Sequence, residues 1–206
     1  MEITELRRRL EGLNVYLVGM MGAGKSAVGG GLARLLGYRC LDADSMIATA
    51  AGCSVAEIFQ RHGEAGFREL ESQVLGQIAA WHSSVVCTGG GAVTRPSNWG
   101  VMRQGVVVWL DAPAALLLSR LQADATPRPL LDGDDPGARL AALLEERLPL
   151  YSQADLRIPQ QAGMTPLDVV TAILAALPTL LKERATAPEQ PARLQDAAGH
   201  GRSGFN

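Results

Sequence analysis

Residues 15–26 read VYLVGMMGAGKS, a short apolar run followed by a glycine-rich segment. The segment fits the P-loop pattern G-x-x-x-x-G-K-S in full, from Gly19 to Ser26. In a P-loop, glycines allow backbone N–H groups to converge on phosphate oxygens, and the dipole of the following helix favours the same anion. The apolar run before the loop and the helical pattern of residues 25–36 after it provide the required strand–loop–helix context. The stretch therefore predicts a nucleotide-binding β–α unit.

The loop also carries the two side chains that a phosphate site needs. Lys25 supplies a positive charge to the β- and γ-phosphates, and the Ser26 hydroxyl can be a ligand of Mg²⁺. We therefore expect nucleotide and Mg²⁺ to bind here. The expected nucleotide contacts are Gly22, Ala23, Gly24, Lys25, Ser26 and Ala27.

Short apolar runs alternate with helical patterns along the rest of the chain, which is typical of βαβ units and a parallel sheet. The runs are rich in Val, Leu and Ile without clean alternation, as expected for strands covered on both faces. The predicted strands are 14–19, 38–41, 85–88, 106–110 and 155–158, and the predicted helices are 25–36, 54–60, 64–81, 113–121, 136–148 and 166–180. A further short peripheral helix is expected within the first ten residues.

The pattern predicts one α/β domain over residues 1–180. Between two helices, residues 123–137 read ADATPRPLLDGDDPG, so a mobile lid is expected at about 121–137. Residues 181–206 contain few large apolar side chains and are expected to be a disordered tail.

Composition excludes several classes of partner. The 206 residues carry a formal net charge of −2, which provides no basic surface for nucleic acid or for a membrane. No segment approaches the roughly 18 apolar residues of a membrane span. The three cysteines have no CxxC spacing and are expected to be buried, reduced thiols of a cytoplasmic protein. A monomer is the default expectation.

Nucleotide binding alone leaves a GTP-dependent switch and a phosphoryl-transfer enzyme open. Switches usually recognise guanine through an Asn-Lys-x-Asp loop, but the three asparagines here are Asn14, Asn98 and Asn206, and none precedes a lysine. A motor or helicase-like ATPase would need a longer chain and a basic track. A small phosphoryl-transfer enzyme is therefore favoured.

Two carboxylates follow the second predicted strand, in the sequence LDAD at 41–44. Ligands of parallel sheets bind at this carboxyl edge, so Asp42 and Asp44 are candidate site residues. One could hold Mg²⁺ through water while the other faces an acceptor hydroxyl. The alternative is a simple helix cap, which Asp44 could equally serve.

The segment GEAGFRELE at 63–71 opens a helix with Arg68 and Glu71 on one face. An arginine is suited to a bidentate grip on a carboxylate. The alternative is an ion pair on a solvated helix face.

Two further clusters complete the set of candidates. TGGGA at 88–92 follows a predicted strand, where glycines permit a close backbone approach to a ligand or form a flexible turn. Arg128 of RPLL, in the predicted lid, could bring charge to a transferring phosphate while excluding water, or could be a solvated loop residue. ERLPLY at 146–151 supplies Arg147.

The motifs GxxGxGKS, LDxD, GExxFRxxE, GGG, RPLL and ERxxLY, in this order, resemble those of the shikimate kinase family. The resemblance runs from about Asn14 to about Leu180. It implies a three-layer α/β/α fold with a five-stranded parallel sheet, similar to the nucleoside monophosphate kinases. It also implies transfer of the γ-phosphate of ATP to the 3-hydroxyl of shikimate, on the route to aromatic amino acids, with Mg²⁺ as cofactor.

The resemblance implies a role for each matching residue. Asp44 would hold the shikimate hydroxyls and help to deprotonate one of them, and Asp42 would join Ser26 at Mg²⁺. Lys25, Asp44 and Arg128 would form the catalytic group, with Arg128 on the lid. Arg120 and Pro166 would lie at the adenine. The implied substrate site comprises Asp44, Phe59, Phe67, Arg68, Glu71, Gly89, Gly90, Gly91 and Arg147, with the two arginines on the substrate carboxylate.

Another small-hydroxyl P-loop kinase, such as a gluconate kinase, is the alternative. It would share the fold and the P-loop but lack the LDxD, GExxFR and RPLL motifs.

Overall fold

The computed structural model describes residues 2–124, 129–131 and 135–185. Within these ranges, five parallel strands form one sheet in the order β2-β3-β1-β4-β5. The strands are β1 (Val15–Val18), β2 (Arg39–Asp42), β3 (Ser84–Cys87), β4 (Val106–Asp111) and β5 (Leu156–Pro159). The helices are α1 (Ile3–Leu10), α2 (Lys25–Leu36), α3 (Ala43–Ala51), α4 (Val55–Ile78), α5 (Pro96–Met102), α6 (Ala114–Gln122), α7 (Pro136–Tyr151) and α8 (Pro166–Ala185). All five predicted strands are confirmed.

The central strand β1 divides the core into two apolar layers because successive side chains point to opposite faces of the sheet. Leu17 belongs to one layer, together with Leu32 of α2. Tyr16 belongs to the other layer, together with Leu75 of α4. Helices therefore cover both faces of the sheet, and the expected three-layer α/β/α fold is confirmed.

The parallel topology brings three of the predicted motifs to one edge of the sheet. In the strand register, Leu17 of β1 lies beside Cys87 of β3, and Asp42 of β2 lies beside Cys87 on the other side. The P-loop, the LDAD segment and the TGGGA segment at 88–92 (the glycine segment) follow the carboxyl ends of these strands. They therefore lie close together at one edge of the sheet. A site can therefore be built at the carboxyl edge, as parallel sheets generally allow.

The prediction that every strand is covered on both faces is wrong for β2. Both Arg39 and Cys40 are exposed, whereas all four residues of β1 are buried. The reason is that β2 lies at an edge of the sheet, where neighbouring elements cover less of its surface. The expectation of three buried thiols is confirmed for Cys87 but is wrong for Cys40, which is exposed, and for Cys53, which is half-buried.

The two predicted helices 54–60 and 64–81 are joined in α4, which is kinked at Gly63. Gly63 has φ +65° and ψ −176°, a conformation that glycine adopts without a Cβ clash. A capping box formed by Ser54 and Glu57 begins α4. The Glu57 N–H donates to Ser54 Oγ at 3.2 Å, and the Ser54 N–H donates to Glu57 Oε2 at 2.8 Å.

Two helices, α3 and α5, were absent from the prediction. Helix α3 has many alanines and only a weak apolar stripe, and α5 has seven residues. The predicted peripheral helix is confirmed as α1, and α8 continues past its predicted end to Ala185. No helix in the described ranges is both long and apolar enough to traverse a bilayer.

Part of the predicted lid is described. Residues 129–131 form a short 3₁₀ turn beside α7, and Leu131 is buried in the same core layer as Leu140 of that helix. Residues 125–128 and 132–134 lie outside the described ranges, and the expectation of a mobile lid stays a prediction. Residues 186–206, most of the predicted tail, also lie outside them.

Candidate active site

The P-loop joins β1 to α2 through a backbone that needs glycine. Gly19 has φ +143°, and a Cβ there would lie 2.6 Å from the Leu110 carbonyl oxygen. Gly24 has φ +83° and directly precedes α2, whose first residue is Lys25. Lys25 Nζ donates to the Gly19 oxygen at 2.7 Å and to the Met20 oxygen at 3.0 Å. The ammonium group is thus held against the loop itself.

Asp42 connects the P-loop to the end of β2. Ser26 Oγ donates to Asp42 Oδ2 at 2.7 Å, and Asp42 Oδ1 accepts from the Ser45 N–H at 3.1 Å. Asp42 is therefore the N-cap of α3, the role that the sequence also allowed for Asp44. Asp44 lies instead in the first turn of α3, where the helix dipole favours an ionised carboxylate.

A groove runs along the P-loop and holds about 900 Å³ of empty space, its open mouth included. Its walls contain most of the predicted nucleotide contacts together with the predicted metal ligands. They are Met21, Gly22, Gly24, Lys25, Ser26, Ala27, Asp42, Asp44, Thr88, Gly90, Arg120, Leu121 and Asp124.

Two predicted nucleotide contacts lie elsewhere. Ala23 is fully buried, and its N–H donates within the loop to the Met20 oxygen at 3.1 Å. Pro166 is exposed as the first residue of α8 and is not part of the groove wall. A third, Arg128, lies outside the described residues, so its roles in the lid and in catalysis stay predictions.

Arg120 reaches the P-loop from α6 and is braced by a residue that the sequence analysis missed. Arg120 Nη1 donates to the Gly22 oxygen at 3.2 Å and to Gln160 Oε1 at 2.9 Å. Gln160 is 4% exposed, and its Nε2 donates to the Ala23 oxygen at 2.9 Å. The signal that could have found Gln160 is its position as a polar residue directly after β5, at the edge that holds the site.

A second cleft adjoins the groove and holds about 510 Å³ of empty space, its mouth included. The rings of Phe59 and Phe67 form part of its wall, with their centroids 4.7 Å apart. All the predicted substrate residues except Glu71 line it. The full lining is Met21, Asp44, Val55, Phe59, Phe67, Arg68, Gly89, Gly90, Gly91, Leu130 and Arg147.

Glu71 lies behind this wall and holds Arg68. It is fully buried, and its Oε2 accepts from Arg68 Nη1 at 2.9 Å. Burial raises the pKa of the Glu71 carboxyl, Arg68 opposes that increase, and Asp44 adds to it. Burial works to lower the pKa of Arg68, but the carboxylates of Glu71 and Glu64 outweigh it and hold that pKa above its usual value. The alternative of a solvated ion pair is thus wrong for Arg68.

Arg147 comes from α7, and its guanidinium has fewer hydrogen bonds than that of Arg68. Its side chain is 3% exposed, and its nearest carboxylate oxygen is Glu64 Oε1, 4.0 Å from Nη2. Arg147 Nε and Nη1 are buried and have no hydrogen-bond partner among the described residues. A buried charge with unpaired donors is costly, which suggests that these donors are kept for an anion.

The three glycines after β3 are required by close contacts. A Cβ on Gly89 would collide with Glu71 Oε1, and a Cβ on Gly91 would collide with the guanidinium of Arg68. A Cβ on Gly90 would lie 3.3 Å from the Met21 nitrogen of the P-loop. The segment is thus packed between the buried charges and the phosphate loop, rather than being a flexible turn.

Tyr151 connects α7 to this glycine segment through a hydrogen bond, and the sequence predicted no role for it. Its hydroxyl donates to the Gly90 oxygen at 2.5 Å, and its ring stacks on Trp109 with centroids 5.9 Å apart. The side chain is fully buried, and burial raises the pKa of Tyr151 to about 12. Since Tyr151 lies one turn after Arg147, the same contact also locates the guanidinium relative to Gly90.

We expect Tyr151→Phe to lower the free energy of unfolding by about 1 kcal/mol, because the Gly90 carbonyl loses its donor while the ring stays packed. The KM for the acceptor should rise more than kcat falls, since the contact positions the cleft. Urea unfolding and steady-state kinetics would measure the two effects. Tyr38→Phe, at the opposite end of the sheet, is the matched control, and an equal KM change in it would contradict this role for Tyr151.

The cleft and the groove meet at Met21, Asp44 and Gly90, which line both. A phosphate on the P-loop would therefore lie beside an acceptor in the cleft, with a carboxylate between them. The cleft presents two guanidinium groups, which suit an acceptor that is itself an anion. The fold and the site together define a P-loop kinase that acts on a small molecule.

Comparison with known proteins identifies the family. The family model described as Shikimate kinase matches residues 21–178. The chain is 62% identical over 177 residues to Shikimate kinase of Synechococcus sp. (strain RCC307), covering 86% of this chain and 90% of that relative. The chain belongs to the shikimate kinase family.

Solved structures agree with this result. Shikimate kinase from Acinetobacter baumannii, in complex with shikimate, superposes with a TM-score of 0.78 at 36% identity, covering 88% of this chain and 99% of that one. A gluconokinase from Sinorhizobium meliloti 1021 gives a TM-score of 0.52 at 18% identity, covering 84% and 96%. The second similarity shows a shared fold alone, so shikimate kinase is favoured over the gluconate kinase alternative.

Proposed function

We propose that this chain transfers the γ-phosphoryl group of ATP to the 3-hydroxyl of shikimate. The observation that carries the proposal is the arrangement of the two clefts. A cleft with two buried guanidiniums opens onto the P-loop groove, and Asp44 lines both. Membership of the shikimate kinase family supports the choice of acceptor.

The two arginines fit a carboxylate-bearing acceptor. Arg147 has two buried donors without a partner among the described residues, and Arg68 lines the same cleft. A substrate carboxylate would supply acceptor oxygens and neutralise part of the buried charge. Gly89–Gly91 would bring backbone groups close to the substrate because these residues have no side chains.

Asp44 would act on the attacking hydroxyl. In the proposed step, the 3-hydroxyl oxygen bonds to the γ-phosphorus, and the bond from that phosphorus to the oxygen bridging the β- and γ-phosphates breaks. The hydroxyl proton passes to a carboxylate oxygen of Asp44, and ADP leaves with the bridging oxygen. Most of the catalysis would come from positioning and from positive charge near the transferring group, which Lys25 supplies.

Ser26 and Asp42 fit the Mg²⁺ that such a reaction requires. Their oxygens lie 2.7 Å apart on the groove wall, and both are hard donors of the type that Mg²⁺ prefers. Within the described ranges there is no cluster of three or more His, Cys, Asp or Glu side chains suited to a metal. Phosphate oxygens and water would therefore complete the coordination shell, and the ion would neutralise charge on the β- and γ-phosphates.

The proposal extends to a monomeric, cytoplasmic enzyme. The cytoplasmic location is supported by the three cysteines, whose lack of CxxC spacing is expected of reduced thiols, and the monomer is the default expectation.

The test is ADP production from Mg·ATP with shikimate, gluconate or a nucleoside monophosphate offered separately. We expect turnover with shikimate alone, with one ADP and one shikimate 3-phosphate formed per cycle. Turnover with gluconate and not with shikimate would overturn the acceptor assignment while leaving the P-loop assignment intact.

A further inference from the structure

Glu64 already supplies a carboxylate to the two arginines of the cleft. It follows the Gly63 kink at the start of the second part of α4. Its Oε1 accepts from Arg68 Nη2 at 3.0 Å and from Arg68 Nε at 3.3 Å. The same oxygen lies 4.0 Å from Arg147 Nη2. One carboxylate oxygen thus faces both guanidiniums.

This contact uses the edge of Arg68 that a ligand carboxylate would need. Arg68 Nη1 is bonded to Glu71, while Nε and Nη2 are bonded to Glu64. The Nε–Nη2 edge of a guanidinium is one of the edges that can hold a carboxylate through two parallel hydrogen bonds. A carboxylate entering the cleft can bind Arg68 along this edge only if Glu64 moves away.

Glu64 can leave readily and Glu71 cannot. The Glu64 side chain is 47% exposed, so its carboxylate would regain water on moving, whereas the Glu71 side chain is 0% exposed. Gly63 next to it has a non-helical conformation, and a Cβ built there meets no atom within 4 Å. Arg68 would stay in place when Glu64 leaves, because Glu71 still binds Nη1 and Phe67 still packs against the guanidinium at 5.3 Å.

We propose that Glu64 occupies the place of the substrate carboxylate on Arg68 and Arg147 in the free enzyme and is displaced when shikimate binds. The inference rests on the proposed function, since it takes shikimate as the incoming carboxylate. Glu64 is then a specificity-determining residue. An acceptor without a carboxylate cannot replace the bonds that Glu64 gives up, so its binding leaves the arginines less satisfied.

The first test is calorimetric titration of shikimate into wild-type enzyme and Glu64→Gln. The glutamine side chain is neutral and holds the arginines more weakly, so the substrate carboxylate meets a weaker competitor. We expect the Kd for shikimate to fall about three- to tenfold, which is the scale of a partly exposed ion pair. The KM for ATP should stay unchanged. An unchanged or raised Kd for shikimate would overturn the displacement.

Removing the charge of Glu64 could also tighten binding through the electric field alone, and Glu64→Asp separates the two causes. Aspartate keeps the negative charge near Arg68 and Arg147, but its side chain is one methylene shorter and reaches the Arg68 edge poorly. Displacement predicts tighter binding in both variants. Tighter binding in Glu64→Gln with wild-type affinity in Glu64→Asp would overturn the proposal in favour of a field effect.

Glu69→Gln is the matched control on the same helix. Glu69 Oε2 accepts from Arg95 Nη1 at 2.8 Å, so this carboxylate is paired with an arginine that does not line the cleft. Its neutralisation should leave the Kd for shikimate unchanged, and an equal tightening would count against a special role for Glu64. Failure of the wild-type enzyme to bind shikimate would instead reject the proposed function, and the displacement with it.

Discussion

Lys25→Ala should lower kcat about 10²- to 10³-fold, the loss seen when a group that stabilises developing charge is removed from an active site. Lys25 Nζ donates to the carbonyl oxygens of Gly19 and Met20 at the groove wall. We expect the ammonium to contact the β- and γ-phosphates of a bound nucleotide. Because that charge matters most as the phosphoryl group transfers, kcat should fall more than KM rises. A coupled assay of ADP release at saturating substrates measures the loss.

Arg34→Ala is the control for this prediction. Arg34 is an exposed cation in the last turn of the same helix, α2, far along the axis from the phosphate groove. Its removal should cost about 0.3–1 kcal/mol of stability through the helix dipole and leave kcat unchanged. If the kcat of Lys25→Ala stayed within tenfold of the wild-type value, the proposed contact between Lys25 and the transferring phosphate would be contradicted.

Arg147→Met should raise stability while it weakens shikimate binding. Arg147 is buried with two donors unpaired among the described residues, so a neutral side chain of similar length removes a desolvation penalty. Burying a charged group whose donors are unpaired costs free energy, so we expect its removal to raise the free energy of unfolding by about 1 kcal/mol. Glu64 keeps its bonds to Arg68, so the change leaves no carboxylate stranded.

The loss of affinity in Arg147→Met should be about 30- to 1000-fold, or about 2–4 kcal/mol, because the substrate carboxylate would lose one of two charged partners in a buried cleft. Urea unfolding and calorimetric titration with shikimate measure the two opposite effects. Arg139→Met makes the same chemical change at an exposed position of the same helix and should leave the affinity unchanged. A stabilised variant with wild-type affinity would show that Arg147 does not contact the substrate.

Lys25 and Arg147 differ in how much of their role could be predicted from the sequence. Lys25 is part of a contiguous motif, so its position at a helix N-terminus follows from the local chain alone. Arg147 could be assigned only through resemblance to a family. Its position depends on α7 packing against the short segment 92–94 that follows the glycines, a contact between segments far apart in the chain. Arg128 was a candidate from its place in the predicted lid, and its role stays a prediction.

Long-range contacts also explain which site residues the sequence analysis missed. Gln160 and Tyr151 contact the P-loop and the glycine segment through hydrogen bonds across 137 and 61 residues of chain, respectively. Neither lies in a motif with a local physical signature of its role. Glu64 was visible in the GExxFR motif, but its contact with both arginines depends on where the kinked helix α4 meets α7.

The sequence by itself determined the P-loop, the five parallel strands and the two carboxylates at the edge of the sheet. These features follow from local patterns, since glycine spacing, apolar runs and strand ends act within a few residues of one another. The tertiary structure alone decided that Asp42 caps α3 while Asp44 lies between the clefts, that Glu71 is buried behind Arg68, and that Glu64 lies on the arginine pair. Burial and ion pairing set the free energy of a charged side chain. Both depend on which distant segments of the chain pack together.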